Sequence, residues 1–91
     1  SYIRDYDLIG MVESYDEKSG IAVISQRNRF FVGDEIEVIQ PGKPFFMQKV
    51  EYMENENGES IESVPHAKMI LKMKMDHPVT SDAMLRKERK Q

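Results

Sequence analysis

The 91 residues predict an all-β fold, a small closed or partly open barrel of about six antiparallel strands. Three observations carry this reading. Two β-branched runs, Ile21-Ala-Val-Ile24 and Ile36-Glu-Val-Ile39, are each bounded by turn residues. Further short apolar stretches recur at intervals of about ten residues, separated by glycine, proline and Asn-Gly signals. Two glycines, Gly10 and Gly33, fall where a closing sheet needs sharp corners.

The elements follow in order. Residues 1–6 read as a linker or the edge of the first strand, with Tyr2 and Tyr6 as anchors. The first strand spans 7–16, with Leu8, Gly10, Val12 and Ser14 on one face and Ile9, Met11, Glu13 and Tyr15 on the other. Asp16-Glu-Lys-Ser-Gly20 turns the chain, with Gly20 free to take positive φ. The second strand returns over 20–26. Val32-Gly33-Asp34 makes the next reversal, and 35–40 form a third strand with Ile36 and Val38 inward and Glu35 and Glu37 outward. Pro41-Gly42 stops it.

Residues 44–53 form a fourth strand, and Asn57-Gly58 turns it into a short fifth over 59–63. After Val64-Pro-His-Ala67, the sixth strand spans 68–76. Met69, Leu71, Met73 and Met75 point one way, and Lys68, Lys72 and Lys74 the other, with Ile70 on the lysine face. Thr80-Ser-Asp82 reads as a helix cap ahead of a short C-terminal helical turn, and 87–91 as a frayed basic tail.

A chain this short is one domain. Beginning at Ser1 without methionine, it reads as a piece of a longer protein. No apolar run approaches the roughly 20 residues of a membrane span. Cysteine is absent, so no disulfide, thiolate nucleophile or thiolate metal site exists within these residues, and the composition accords with a cytoplasmic location. The net charge of −3 is unevenly spread: residues 1–62 hold 13 acids and 6 bases, whereas 63–91 hold 3 acids and 7 bases. The basic end is suited either to phosphate or to plain solvation.

Chemistry-bearing residues are few. His66 and His77 each adjoin a proline, and no zinc-ligand spacing connects them; His66, after a strand break, is the better candidate for a contact. No serine lies in G-x-S-x-G, and the acidic loop 54–59 lacks calcium-loop spacing. The glycines precede no helix, so they form no phosphate cradle. No cofactor or metal is expected in this domain. The best surface is Arg27, Asn28, Arg29, Phe30 and Phe31, extended by Lys68, Lys72 and Lys74. Arginines beside aromatic rings pair phosphates and stack bases. The same residues serve equally to grip a carboxylate or a neighbouring domain, or one of Phe30 and Phe31 is core and the arginines pair with nearby acids.

The run Arg27-Asn28-Arg29-Phe30, then Val32-Gly33-Asp34-Glu35-Ile36-Glu37 and Pro41-Gly42, resembles the C-terminal domain of the collagenase-like peptidase family U32. The resemblance continues through the acidic loop to Gly58-Glu59, Pro65-His66 and the closing Asp82, Leu85 and Arg86, covering nearly the whole chain. It implies a small β-barrel, similar to the second domain of translation elongation factors, appended to an upstream catalytic domain. Members are described as peptidases; related bacterial proteins act in RNA hydroxylation with cysteine-bound iron–sulfur clusters, whose cysteines lie upstream. The implied role is non-catalytic: to help bind a protein or peptide substrate or dock on the catalytic domain, or else to position transfer or ribosomal RNA. A self-contained peptidase lacks any nucleophile or metal constellation in this sequence.

Overall fold

The computed structural model describes residues 4–64 and 68–89. Those residues form strands and turns only: β1 Tyr6–Asp16, β2 Ile21–Gln26, β3 Phe30–Phe31, β4 Glu35–Ile39, β5 Phe46–Lys49, β6 Met53–Glu54, β7 Ser60–Ile61, β8 Ser63–Val64, β9 Ile70–Lys74 and β10 Met84–Glu88. Eight of them make one antiparallel sheet in the order β5-β4-β10-β1-β2-β9-β6-β7, and β3 pairs with β8. The large sheet curls into a half-barrel, so the partly open form of the predicted barrel is the one adopted.

The inward faces supply the core. Ile9, Val12, Ala22, Ile24, Phe30, Ile36, Val38, Val50, Met53, Leu71, Met73 and Leu85 are all buried. On β9 the alternation is as read: Leu71 and Met73 bury, while Lys72 and Lys74 face outward with Ile70. β1 departs from simple alternation. Its register slips between Leu8 and Gly10 and again between Val12 and Ser14, which puts Ile9 and Val12 into the core together. Gly10 sits at the first slip because a Cβ there would stand 2.7 Å from Ile24 Cγ2.

Five expectations are corrected. The strand expected over 44–53 divides into β5 and β6. Val50 leaves the ladder between them: its N–H donates to the Asp34 carbonyl and its carbonyl accepts from Gly33, each at 2.8 Å. The C-terminal helical turn is strand β10, inserted between β4 and β1. The Thr80-Ser-Asp82 cap is a turn in which Ala83 N–H donates to Thr80 O at 3.2 Å and Asp82 takes φ 70°. Residues 87 and 88 are not frayed but paired, Lys87 with Asp7 and Glu88 with Tyr6. Glu37 does not point into water. Opposite Arg86 in the ladder, it is 7% exposed, with Arg86 Nε 3.3 Å from its Oε2 and the Tyr6 ring 3.8 Å beneath the guanidinium.

Three buried glutamines join distant segments through their side-chain amides. Gln48 donates to Lys74 O (3.0 Å) and accepts from Asp76 N–H (3.0 Å). Gln40 accepts from Thr80 N–H at 2.9 Å. Gln26 donates to Val64 O (2.8 Å) and Asn28 O (3.0 Å) and accepts from Met69 N–H (3.3 Å). An amide is suited to this because it offers donors and an acceptor from one neutral side chain.

Candidate functional site

Gln26 ends β2, and the next three residues form an exposed loop at the mouth of the half-barrel: Arg27, Asn28 and Arg29. The loop is held from beneath. Arg27 N–H (2.8 Å) and Asn28 N–H (3.3 Å) both donate to the carbonyl of Ile9, the extra residue of the β1 bulge. Among the described residues no carboxylate pairs with Arg27 or Arg29, so both guanidinium groups face solvent.

The two phenylalanines that follow part company. Phe30 is wholly buried, so the expected ring contact from Phe30 is corrected: strand alternation turns it inward. Phe31, 42% exposed, is the ring at the surface. Asp34 fixes its place. Phe31-Val32-Gly33-Asp34 is a tight turn closed by Asp34 N–H to Phe31 O at 3.1 Å, with Gly33 at φ 99°, where a side chain would be strained. The Asp34 carboxylate accepts from Phe31 N–H (2.9 Å) and from Lys87 Nζ (3.0 Å) on the same oxygen. Lys87 Nζ thereby stands 5.6 Å from the centre of the Phe31 ring.

β10 carries the second wall. Lys87 and Arg89 come up beside Asp7 of β1, and Arg89 donates from Nε (3.2 Å) and Nη2 (2.5 Å) to Asp7 Oδ1. The Arg89 hydrogen bond, with the charges of Arg89 and Lys87, holds the Asp7 carboxyl below its ordinary range. Two adjoining hollows share Asp7 and Lys87. One, about 460 Å³, is lined by Gln26, Arg27, Asn28, Arg29 and Phe31 besides these two; the other, about 600 Å³, continues past Asp34 and Arg89 to Lys49 and Met47. The first therefore offers three cations against one carboxylate, beside an exposed ring.

Of the lysines expected to extend this surface, none lines either hollow. Lys74 belongs to the opposite end of β9, where its Nζ donates to Ser19 O at 2.8 Å. Lys72 stands 4.0 Å from Glu54. Lys68 is exposed and precedes β9 at φ 65°. His66 lies outside the described residues, and His77 packs edge-on against Phe46 at 4.8 Å between ring centres. Gly20, Gly33 and Gly58 all take positive φ at their turns. Sequence reasoning named Phe31 together with Phe30 but missed Asp7, Lys87 and Arg89. The signal for the last two was the alternation of Ala83 and Leu85 with polar residues, masked by a run of good helix formers.

No group of three His, Cys, Asp or Glu side chains converges among the described residues, and none of their segments is a helix long and apolar enough to cross a membrane.

Comparison with known proteins places the fold. Residues 4–86 match the model of the peptidase family U32 C-terminal domain. The chain is 34% identical over 82 residues to the tRNA hydroxylation protein P1 of Bacillus subtilis (strain 168); the match takes in 90% of this chain and 19% of the relative. The chain thus spans about a fifth of that relative's length. Two crystal structures of the C-terminal domain of a Geobacillus thermoleovorans protein assigned to the U32 peptidases superpose closely. The selenomethionine variant gives a TM-score of 0.85 at 36% identity, covering 89% of this chain and 99% of that one. The other gives 0.84 at 32% identity, covering 92% and 93%. By sequence over most of its length and by fold, the chain belongs to the peptidase family U32 C-terminal domain.

Proposed function

We propose that this domain is a non-catalytic accessory module that holds structured RNA, of the transfer-RNA class, for an enzyme domain elsewhere in its polypeptide, in the cytoplasm. The observation that carries the reading is the mouth: Arg27, Arg29 and Lys87 grouped around the exposed ring of Phe31. Cations there neutralise phosphates, and the ring accepts a splayed base on its open face, the combination by which proteins hold unpaired nucleotides. The name of the Bacillus subtilis relative, a tRNA hydroxylation protein, supports the choice of RNA. Asp7 and Asp34 do not oppose it, because Arg89 answers the first and Lys87 the second, which leaves Arg27 and Arg29 for phosphates. The net charge of −3 confines binding to this local patch.

The test is fluorescence anisotropy of labelled transfer RNA with the domain over a range of salt. Engagement of two phosphates predicts an affinity that falls roughly seven- to twelvefold between 50 and 200 mM salt. Absence of binding at 50 mM salt refutes the reading. A second reading has one observation in its favour: β5 ends the sheet with an open edge, to which a peptide substrate of a peptidase could add as a strand. Competition by an extended peptide, with no salt dependence, would mark that mode.

A further inference from the structure

Bordering the second hollow at Met47, the outer face of the sheet carries an apolar surface outside the hollow assigned to RNA. The ladder lays its side chains out in rows, since residues opposite one another share a face. Met11 of β1, Met84 of β10 and Ile39 of β4 stand side by side. Next to them run Leu8, Arg86, Glu37 and Met47. Leu8 is 38% exposed, Met84 39% and Met47 53%, on three different strands. The charges within the second row answer each other: Arg86 pairs with Glu37 and lies over Tyr6, so a partner settling here meets no unpaired buried carboxylate. An apolar, methionine-rich centre with its charges already neutralised has the make-up of an interface core.

We propose that this face docks against the part of its own polypeptide that precedes it. Two observations select that occupant. The matched region is 19% of the Bacillus subtilis relative, and the family is a C-terminal domain, so most of such a polypeptide lies ahead of this fold. The chain also enters the fold through β1, whose Tyr6 and Leu8 stand on this face beside Arg86. A preceding domain is therefore tethered next to the surface, at the high effective concentration that makes a modest apolar contact persist.

The test is methionine oxidation by hydrogen peroxide, read by peptide mass spectrometry, on the isolated domain and on the full-length polypeptide. The isolated domain is a fair reference, since the Geobacillus thermoleovorans structures are of such a domain alone. Met69, half-buried against the core, is the internal standard. The expected result is that Met47 and Met84 oxidise about tenfold more slowly in the full-length polypeptide while Met69 is unchanged, because oxidation follows exposure. Equal rates in both proteins overturn the proposal, as does uniform slowing of all three methionines. Protection of Met47 and Met84 in the isolated domain that grows with its concentration also overturns it, assigning the face to a second copy. None of these outcomes depends on RNA.

Discussion

Replacing Gln26 by leucine removes the amide that ties the end of β2 to β8 and to the segment entering β9. Leucine fills nearly the same volume, so the change isolates hydrogen bonding from cavity formation. Three bonds are lost: to Val64 O at 2.8 Å, to Asn28 O at 3.0 Å and from Met69 N–H at 3.3 Å. At about 1 kcal/mol net for each, with a further penalty where the Val64 carbonyl stays buried, the cost is roughly 3–4 kcal/mol. A domain of this size has on the order of 5–13 kcal/mol of stability, so the variant still folds. Urea titration followed by circular dichroism measures the loss as a lower midpoint at unchanged slope. Amide exchange adds a local readout. Arg27 and Asn28 N–H donate to Ile9 O, and their protection should fall further than that of Ala22 or Leu71 in the central ladder. A loss below about 0.5 kcal/mol, within the range of ordinary surface changes, refutes the claim that Gln26 holds this loop.

The remaining expectations concern the rings, a corner and acid. Phe30→Ala should cost about 3–5 kcal/mol in denaturant titration, as loss of a buried ring does. Phe31→Ala should leave stability within about 1 kcal/mol and weaken transfer-RNA binding by about 1–3 kcal/mol, the worth of one stacked base; equal effects of the two changes on binding would count against a stacking role. Gly10→Ala forces a methyl to within 2.7 Å of Ile24 Cγ2 and 3.2 Å of Ser25 O, and thermal melting should show about 1–3 kcal/mol of overpacking. Asp7 is held low by Arg89, and Asp16 by hydrogen bonds from Ser19 and the Lys18 amide. Each depressed carboxyl stabilises the fold above its unfolded value near 3.8 and loses that contribution as pH falls through the folded value. The midpoint in urea should therefore drop below about pH 4, less steeply in Asp7→Asn.

Much of the fold was legible because local chemistry agreed with it. Ile21 to Ile24, Leu71 and Met73 alternate as half-buried strands do, and Gly33 before Asp34 marks a turn that only positive φ allows. The parts that were not legible depend on distant partners. Met84 to Glu88 is a run of helix formers on any local scale, and only the slot between β1 and β4 makes it a strand. Glu37 reads as solvent-facing until Arg86, 49 residues later, arrives opposite it. The site followed the same division. Arg27, Asn28 and Arg29 could be picked out from their own neighbours, whereas the choice of Phe31 over Phe30 required knowing which face β3 turns inward. Lys87 and Arg89 became part of the mouth only once the tail was known to pair with Asp7.

The insertion of the last strand into the middle of the sheet bears on how the domain is made. β10 sits between β4 and β1, and Arg89 N–H closes the ladder onto Asp5 O at 2.8 Å. Until β10 arrives, the half-sheets on either side of its slot keep bare edges and are not joined. Closure of the sheet is thereby bound to the arrival of β10, and a variant cut ahead of Met84 would yield not a shortened barrel but an open, adhesive one.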